Sequence, residues 1–383
     1  MSITIRKVDK TDVDGKLIMK WRNDDTTRKM CFNSELKEWD TFKIMFYEKY
    51  FDNYIEPFFA YLGDTKICFI GCVSNHLADP ETNEKICKIG INMCPDYRGK
   101  GYGKSIIKKV IQLISSNYPK TKKIIAQIKC ANIASSRLFL SCGFKYVEKK
   151  NICNTECLMT EYNIKKLLIL TAHPDDETLG AGATIKRLNN EGYYSKLITF
   201  TDGESSRQET NDDVQCNNRN HVLDSVCKDL GITDCAFGCF PDNKMDSVPL
   251  LDLCKFIEKN VDFEPDIILT HHRKCNNIDH ALVYKATITV FRPQLGNKIK
   301  IMSYFIPSST DYNPFSNFNG NMYYDVEDTF QTKLQCLKNN YNKEMRKYPH
   351  TRSYENIENS MKVWGSEVGL KYAEKFELVR NIN

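Results

Sequence analysis

The 383-residue sequence has no long apolar run: no stretch approaches the roughly 18 uninterrupted apolar residues that a membrane-spanning helix needs. The opening residues, MSITIRKVDK, also contain no apolar core of a signal peptide. An excess of one charge is absent as well, since 54 basic residues face 49 acidic ones, and this balance does not indicate a nucleic-acid surface. We therefore expect a soluble, cytoplasmic protein that binds neither nucleic acid nor a membrane.

Paired cysteine motifs are missing too. The 16 cysteines are scattered through apolar segments such as KICFIGC, and the spacing from Cys68 to Cys72 has no second pair nearby. A structural zinc site of the paired-cysteine kind is therefore not expected. In a chain of this length we expect reduced core thiols rather than a disulfide framework.

Two successive patterns divide the chain into predicted domains at residues 1–164 and 165–383. The first alternates short apolar strands with amphipathic runs such as KSIIKKVIQLI, which predicts a mixed sheet with helices. The second contains the apolar runs LLILT, LITFT and DIILT at helical spacing, which is typical of a mostly parallel sheet with crossover helices on both faces. Both domains are thus α/β. Polar residues follow each run of the second domain, and they should meet in one crevice at the carboxyl ends of the strands.

The stretch YRGKGYGKSII follows a predicted strand and opens a helix, so its backbone N–H groups can surround a phosphate. A P-loop is excluded because Arg98 stands where its first glycine would be. A dinucleotide fingerprint is excluded because Ile106 stands three residues after Gly103. The pattern that remains is R-x-x-G-x-G, formed by Arg98, Gly101 and Gly103. Taken alone, the same stretch also fits a basic turn without a ligand.

This pattern resembles the pyrophosphate loop of the GNAT family of acyl-CoA N-acyltransferases, and NIASSRLFLSCGF downstream resembles that family's second segment. The resemblance implies a GNAT-like fold with acetyl-CoA as acyl donor, and a thioester carbonyl polarised near Ile91 and Met93. The implied CoA-binding residues further include Arg98, Gly99, Lys100, Gly101, Tyr102, Gly103, Lys104, Ser105 and Asn132.

The acid and base of this domain are not assigned by the resemblance. Many family members have a tyrosine as general acid where this chain has Phe139, so Tyr102 and Tyr146 are the substitutes considered. His76 is the only histidine in this half and is the candidate general base. A structural role is the alternative for His76.

The stretch LLILTAHPDDETLGAG places one histidine and three carboxylates directly after an apolar run. His173 and Asp176 can supply two ligands to a catalytic zinc, which takes three protein ligands and keeps one position for water. Asp175 is then free to take a proton from that water. His280, at the start of a predicted helix after the third strand, is the candidate third ligand. Such a site is suited to hydrolysing an amide.

This half resembles the LmbE/PIG-L family of zinc-dependent N-deacetylases of amino sugars, which implies a Rossmann-like sheet. Further matching segments are TDGE, FPDNKMD, NIDH, FRP and PSSTDYN. The resemblance implies His173, Asp176 and His280 as ligands and Asp175 as base. One departure concerns Asn277, which stands where family members have the histidine that stabilises the oxyanion; His272 or His350 could supply the protonated group instead. The candidate cations for binding a substrate diphosphate are Arg292, Arg346 and Arg352.

We predict a bifunctional enzyme of glycan biosynthesis that acts on a UDP- or dTDP-linked amino sugar. One domain acetylates an amine and the other deacetylates a different acetamido group, with C4 and C2 as the candidate positions. Two alternatives stay open: a zinc deacetylase with a non-catalytic CoA-binding or scaffold N-terminal domain, or an acetyltransferase whose second domain only binds. A homo-oligomer is compatible with either.

Overall fold

The computed structural model describes residues 2–74, 85–152, 154–203, 222–294, 298–314 and 317–382. The chain forms two compact units, Met1–Ile164 and Lys165–Asn383, and the described part of each contains a seven-stranded sheet. None of the helices in these ranges has the length and hydropathy that crossing a membrane requires.

Within its described residues, the first unit combines a mixed sheet with five α-helices. Its strands are β1 (Ile3–Lys7), β2 (Phe58–Leu62), β3 (Thr65–Val73), β4 (Lys85–Met93), β5 (Thr121–Lys129), β6 (Lys145–Ile152) and β7 (Thr155–Asn163), in the order β1-β2-β3-β4-β5-β7-β6. Its helices are α1 (Asp12–Arg22), α2 (Asp25–Met30), α3 (Trp39–Lys49), α4 (Tyr102–Asn117) and α5 (Ile133–Ser141). Strands β4 and β5 are parallel neighbours, whereas the other neighbouring pairs are antiparallel.

Strands β4 and β5 separate partway along their length. Their pairing covers Lys85–Lys88 of β4 and ends at Ile125 of β5, while β4 runs on to Met93 beside β3. One edge of β4 from Ile89 onward therefore has no neighbouring strand among the described residues. Helix α4 starts close to this opening, and it is held there by the apolar side that the sequence predicts: Ile106, Ile107, Val110, Ile111 and Ile114 are all buried.

The second unit has a mostly parallel sheet between two layers of helices. Its strands are β8 (Lys166–Thr171), β9 (Tyr194–Thr201), β10 (Asp234–Phe240), β11 (Ile267–His271), β12 (Lys300–Tyr304), β13 (Met322–Asp325) and β14 (Ala373–Arg380). Their order is β10-β9-β8-β11-β12-β14-β13, and only the pairs that involve β14 are antiparallel in the described sheet. The helices are α6 (Asp176–Asn190), α7 (Leu250–Asn260), α8 (Ile278–Val290), α9 (Phe330–Asn340) and α10 (Tyr354–Ser366), and residues 222–230 are also helical.

Strand β8 is an interior strand of this sheet, between β9 and β11, and is buried on both faces. Leu167 and Ile169 pack into one apolar cluster, whereas Leu168 and Leu170 pack into another, because successive strand residues point to opposite faces. The predicted doubly covered α/β sheet is confirmed. The chain continues from β8 to β9 on one side and later returns to β11 on the other, so the carboxyl ends of these strands border the crevice where open α/β sheets bind ligands.

Candidate functional site

A cavity of about 530 Å³ lies in the first unit, where β4 leaves β5. It contains nine of the eleven predicted CoA-binding residues: Ile91, Met93, Arg98, Gly99, Gly101, Tyr102, Gly103, Lys104 and Asn132. Lys100 and Ser105 do not line it; both are exposed, and the Lys100 ammonium lies over the Tyr97 ring. The predicted loop, helix and strand segments thus border one space.

Two glycines of the loop before α4 line this cavity. Gly99 and Gly101 have φ of +72° and +82°, a conformation that glycine adopts without strain. The first turn of α4 has no side-chain cap, so its N–H groups are available to an anion. Arg98 is engaged elsewhere: its guanidinium contacts Asp24 Oδ2 and Thr27 Oγ1, each at 2.7 Å.

The candidate acid and base groups of the first unit lie in different places. Tyr102 lines the cavity, whereas Tyr146 is 54% exposed on the edge strand β6. Phe139 is buried against Phe144, so it belongs to the core. His76 lies outside the described residues. Tyr97, which was not among the predicted residues, also lines the cavity, and its ring centroid is 6.3 Å from that of Tyr102.

A second cavity of about 380 Å³ shares Cys31, Ile91 and Asn92 with the first. Its lining includes three cations and three aromatic rings, namely Arg22, Lys49, Lys88, Phe32, Tyr50 and Phe69. No Asp or Glu belongs to the lining that the structure describes. This cavity was missed by the sequence analysis because its residues come from separate elements and form no motif.

In the second unit, His173, Asp176 and His280 meet at the carboxyl end of β8. His173 Nδ1 lies 3.1 Å from His280 Nε2 and 3.3 Å from Asp176 Oδ2, and His280 Nε2 lies 3.4 Å from the same oxygen. His173 follows β8, Asp176 is the first residue of α6, and His280 lies in the first turn of α8. All three side chains are largely buried.

These three atoms fit a tetrahedral zinc ion. Zinc bonds of 2.0–2.2 Å to nitrogen and carboxylate oxygen place the ligand atoms about 3.4 Å apart, close to the distances between these atoms. Two imidazoles and one carboxylate are also a donor set that zinc takes in hydrolases. The side chains of His173, Asp176 and His280 therefore fit a zinc ion.

Several neighbours fix the orientation of this cluster. His173 Nε2 lies 3.1 Å from Asp242 Oδ1 and 3.2 Å from Asp279 Oδ2, the kind of carboxylate contact that orients ligating histidines. His271 Nε2 accepts a hydrogen bond from the Ala172 N–H, and its ring stacks on that of His280 at 3.9 Å. Asp242 and Asp279 lie within the FPDNKMD and NIDH segments, and their contacts with His173 could not be predicted from those segments.

Asp175 is held in an unusual conformation beside the three clustered residues. Its φ is +106°, which is rare for a residue with a side chain and marks local backbone strain. The Asp175 N–H donates to Glu177 Oε2 at 3.2 Å, and Arg352 Nη1 donates to Asp175 Oδ2 at 3.1 Å. Burial raises the pKa of Asp175 to about 8, although Arg352 acts in the opposite direction. A carboxyl group with a pKa near neutrality is suited to proton transfer.

A cavity of about 160 Å³ opens onto this cluster, and most of its lining is polar. Besides Asp175 and the three clustered residues, the polar lining consists of Asp242, Asn243, Asn277, Ser308, Ser309, Glu344 and Arg352. Arg352 is the only lysine or arginine in the lining that the structure describes. A small space with many hydroxyl, amide and carboxylate groups suits a polyhydroxylated ligand.

The other predicted residues of this unit lie in different positions. Asn277 lines the cavity, but its Oδ1 accepts from the first N–H groups of α8 and its Nδ2 donates to Asn243. Neither His272 nor His350 lines the cavity. His272 contacts Glu377, and His350 Nδ1 accepts a hydrogen bond from the Arg352 N–H. Arg346 is exposed and donates to backbone carbonyls. Arg292 lies beyond the far end of α8, roughly 18 Å along the helix from His280.

The chain matches two family descriptions. Residues 2–145 match the acetyltransferase (GNAT) domain, and residues 168–291 match PIG-L, the GlcNAc-PI de-N-acetylase family. The uncharacterized deacetylase YaiS of Escherichia coli K12 is 28% identical over 191 residues, which covers 47% of this chain and 94% of that protein. The 1D-myo-inositol 2-acetamido-2-deoxy-alpha-D-glucopyranoside deacetylase of a Nocardioides species is 33% identical over 94 residues, which covers 21% of this chain and 31% of that enzyme.

Among solved structures, aminoglycoside acetyltransferase AAC(6')-Ib in complex with coenzyme A matches 42% of this chain and 95% of its own, with 16% identity and a TM-score of 0.37. The two family matches fall in different units, one in Met1–Ile164 and the other in Lys165–Asn383. The chain is therefore an enzyme that joins a GNAT acetyltransferase domain to a PIG-L/LmbE deacetylase domain.

Proposed function

We propose that this enzyme acts on two different nitrogens of a nucleotide-linked amino sugar. The first domain transfers an acetyl group from acetyl-CoA to an amine, with C4 as the candidate position. The second domain hydrolyses another acetamido group, with C2 as the candidate, in the synthesis of a glycan. Different nitrogens are required because one domain would otherwise undo the product of the other. The observation that carries the proposal is the convergence of His173, Asp176 and His280 beside Asp175.

In the first domain, the backbone N–H groups around Gly101 bind the CoA pyrophosphate, since the start of α4 has no cap of its own. The thioester lies along the unpaired edge of β4 between Ile91 and Met93, where backbone groups can polarise its carbonyl. Tyr102 is the proposed proton donor to the leaving thiolate because it lines the cavity, and Tyr97 is its neighbour there. This choice supersedes Tyr146, which is on the exposed edge strand.

The cationic cavity next to the CoA-binding cavity supports an anionic acceptor. Arg22, Lys49 and Lys88 line it without a carboxylate in its described part, so it favours negative charge. A UDP- or dTDP-linked sugar has such a charge on its diphosphate, and Phe32, which is 37% exposed, offers a ring on which a base can stack. A polycationic amine would be repelled by the same three side chains.

In the second domain, His173, Asp176 and His280 would hold zinc, which lowers the pKa of water to about 7 and polarises an amide carbonyl. Asp175 takes the proton from the attacking water and transfers it to the leaving amine. Arg352 keeps the Asp175 carboxylate in place and is the cation that faces charge developing on the acetamido oxygen. Asn243, Ser308 and Glu344 line the cavity and would face the sugar hydroxyls.

Mass spectrometry of a panel of UDP- and dTDP-linked amino and acetamido sugars tests this proposal. Each sugar is incubated with the full chain, with and without acetyl-CoA and with and without a zinc chelator. We expect one sugar to gain an acetyl group only when acetyl-CoA is present. The same sugar should lose a different acetyl group only when the chelator is absent. A panel without either change would contradict the substrate class, and a loss that persists in the chelator would contradict the role of zinc.

A further inference from the structure

The nitrogen of His280 that does not face the cluster has an unusual neighbour. His280 Nε2 points to Asp176 and His173, whereas Nδ1 lies 3.1 Å from the sulfur of Cys275. Within the described part of the chain, no carboxylate or backbone carbonyl is a hydrogen-bond partner of this Nδ1. His173 differs, because its outer nitrogen contacts two carboxylates.

The sulfur of Cys275 is itself fixed in position. Cys275 is 7% exposed, and its N–H donates to the His272 carbonyl at 3.1 Å. Its sulfur lies 3.0 Å from Ser309 Oγ and 3.5 Å from Thr310 Oγ1. The Thr310 hydroxyl accepts from a backbone N–H in turn. A side chain with this many contacts has one orientation, and it can impose that orientation on the imidazole next to it.

A neutral imidazole has one proton, and the site of that proton decides which nitrogen can bind a metal. If Nε2 is to donate its lone pair, the proton must be on Nδ1, where it needs an acceptor because the ring is buried. Hydrogen-bond acceptors on the outer nitrogen commonly fix the tautomer and rotation of ligating histidines. In this chain a thiol sulfur occupies that position.

We propose that Cys275 is a positioning residue for His280. Its sulfur accepts a hydrogen bond from the Nδ1–H group, fixes the ring rotation and keeps Nε2 available to a metal ion. This inference rests on the proposed function, since it gives His280 the role of a zinc ligand. It adds a role for a buried cysteine that lies outside the HPDD and NIDH segments.

The test measures zinc affinity of the full-length chain by competition with a chromophoric chelator, so it needs no substrate. We expect C275A to bind zinc roughly 10–100-fold more weakly than the unmodified chain, the usual effect of losing such a partner. C275S, which retains a hydrogen-bond acceptor, should recover most of this loss. The matched control is C254A, which removes a buried thiol from the apolar cluster of α7 and should leave zinc affinity unchanged.

A thermal melt without zinc shows whether each variant is folded. If C275A has no cooperative transition, C275V takes its place, since valine fills the space of the sulfur without accepting a hydrogen bond. If the folded variant, C275A or C275V, bound zinc as tightly as the unmodified chain, the role of Cys275 would be overturned and the metal site would stand. Failure of the unmodified chain to bind zinc would overturn the metal site together with this role.

Discussion

Arg352 Nη1 lies 3.1 Å from Asp175 Oδ2, although 177 positions separate the two residues in the chain. The arginine comes from the segment before α10, and the aspartate precedes α6. Both side chains are mostly buried, with 16% and 7% of their surface exposed. Because the Asp175 backbone has a strained left-handed φ, this ion pair and the contact from the Asp175 N–H to Glu177 together hold the carboxylate beside the proposed metal ligands.

Replacement of Asp175 by asparagine tests its role as general base. We expect the kcat for amide hydrolysis to fall by roughly 10²–10⁴, because the amide cannot take a proton from water. Zinc affinity should be retained, since Asp175 is outside the proposed ligand set. The comparison is with D246N, an identical change at an exposed position of the same unit. Hydrolysis at the normal rate in D175N would rule out this base.

Replacement of Arg352 by methionine tests whether the ion pair matters to catalysis. A hydrogen bond between charged groups contributes about 1.5–3 kcal/mol, so we expect kcat for hydrolysis to fall roughly 10–100-fold. R352K should restore part of the rate, since it keeps the charge without the planar fork. R346M is the control, because Arg346 is exposed and donates only to carbonyls of its own segment among the described contacts. If R346M and R352M had equal kcat values, the ion pair would have no catalytic role.

Short motifs were the part of the site that sequence reasoning could predict. His173 and Asp176 are three residues apart in a turn between a buried strand and a helix, so local structure alone brings them together. His280 could be added because it begins a helix after another strand of the same predicted sheet. The parallel order of those strands then required their carboxyl ends to meet.

The direction in which each side chain of the site points could not be predicted from the sequence. His271 and His272 are adjacent, yet His271 contacts the Ala172 N–H at the site while His272 contacts Glu377, because neighbouring residues of an extended chain point to opposite faces. Long-range partners such as Arg352 and Asp175 also leave no local pattern. The cationic cavity of the first unit was missed for the same reason, since Arg22, Lys49 and Lys88 come from two helices and a strand.

Replacement of Gly101 by alanine tests the backbone-mediated binding of CoA. Alanine at a φ of +82° costs about 1–2 kcal/mol in strain, which shifts the loop that precedes α4. We expect a roughly tenfold loss of acetyl-CoA affinity by calorimetry. Gly369 of the other unit has a φ of +75° and equally open surroundings, so G369A reproduces the strain away from the cavity. A loss of affinity in G369A, or none in G101A, would contradict the assignment of the loop.

A buried ion pair stabilises helix α6, whose first residue is Asp176. Lys333 Nζ lies 2.6 Å from Glu374 Oε1 and donates to the Leu179 carbonyl at 2.8 Å. Glu374 accepts from the N–H groups of Ala183 and Thr184. The pair thus contacts Leu179 O and Ala183 N, two groups that a regular α-helix would join directly. Neither charged side chain is more than 2% exposed.

We expect K333M to lower the free energy of unfolding by about 3–5 kcal/mol in urea denaturation, because it leaves the Glu374 carboxylate buried without its cation. The double variant K333M/E374L should lose less than the sum of its single changes, since it removes both charges. The control is K362M, which removes a half-exposed pair with Glu358 on α10 and should cost less than about 1 kcal/mol. If K333M and K362M had equal effects, the Lys333–Glu374 pair would contribute no more to stability than a surface pair, and α6 would be held by its apolar contacts alone.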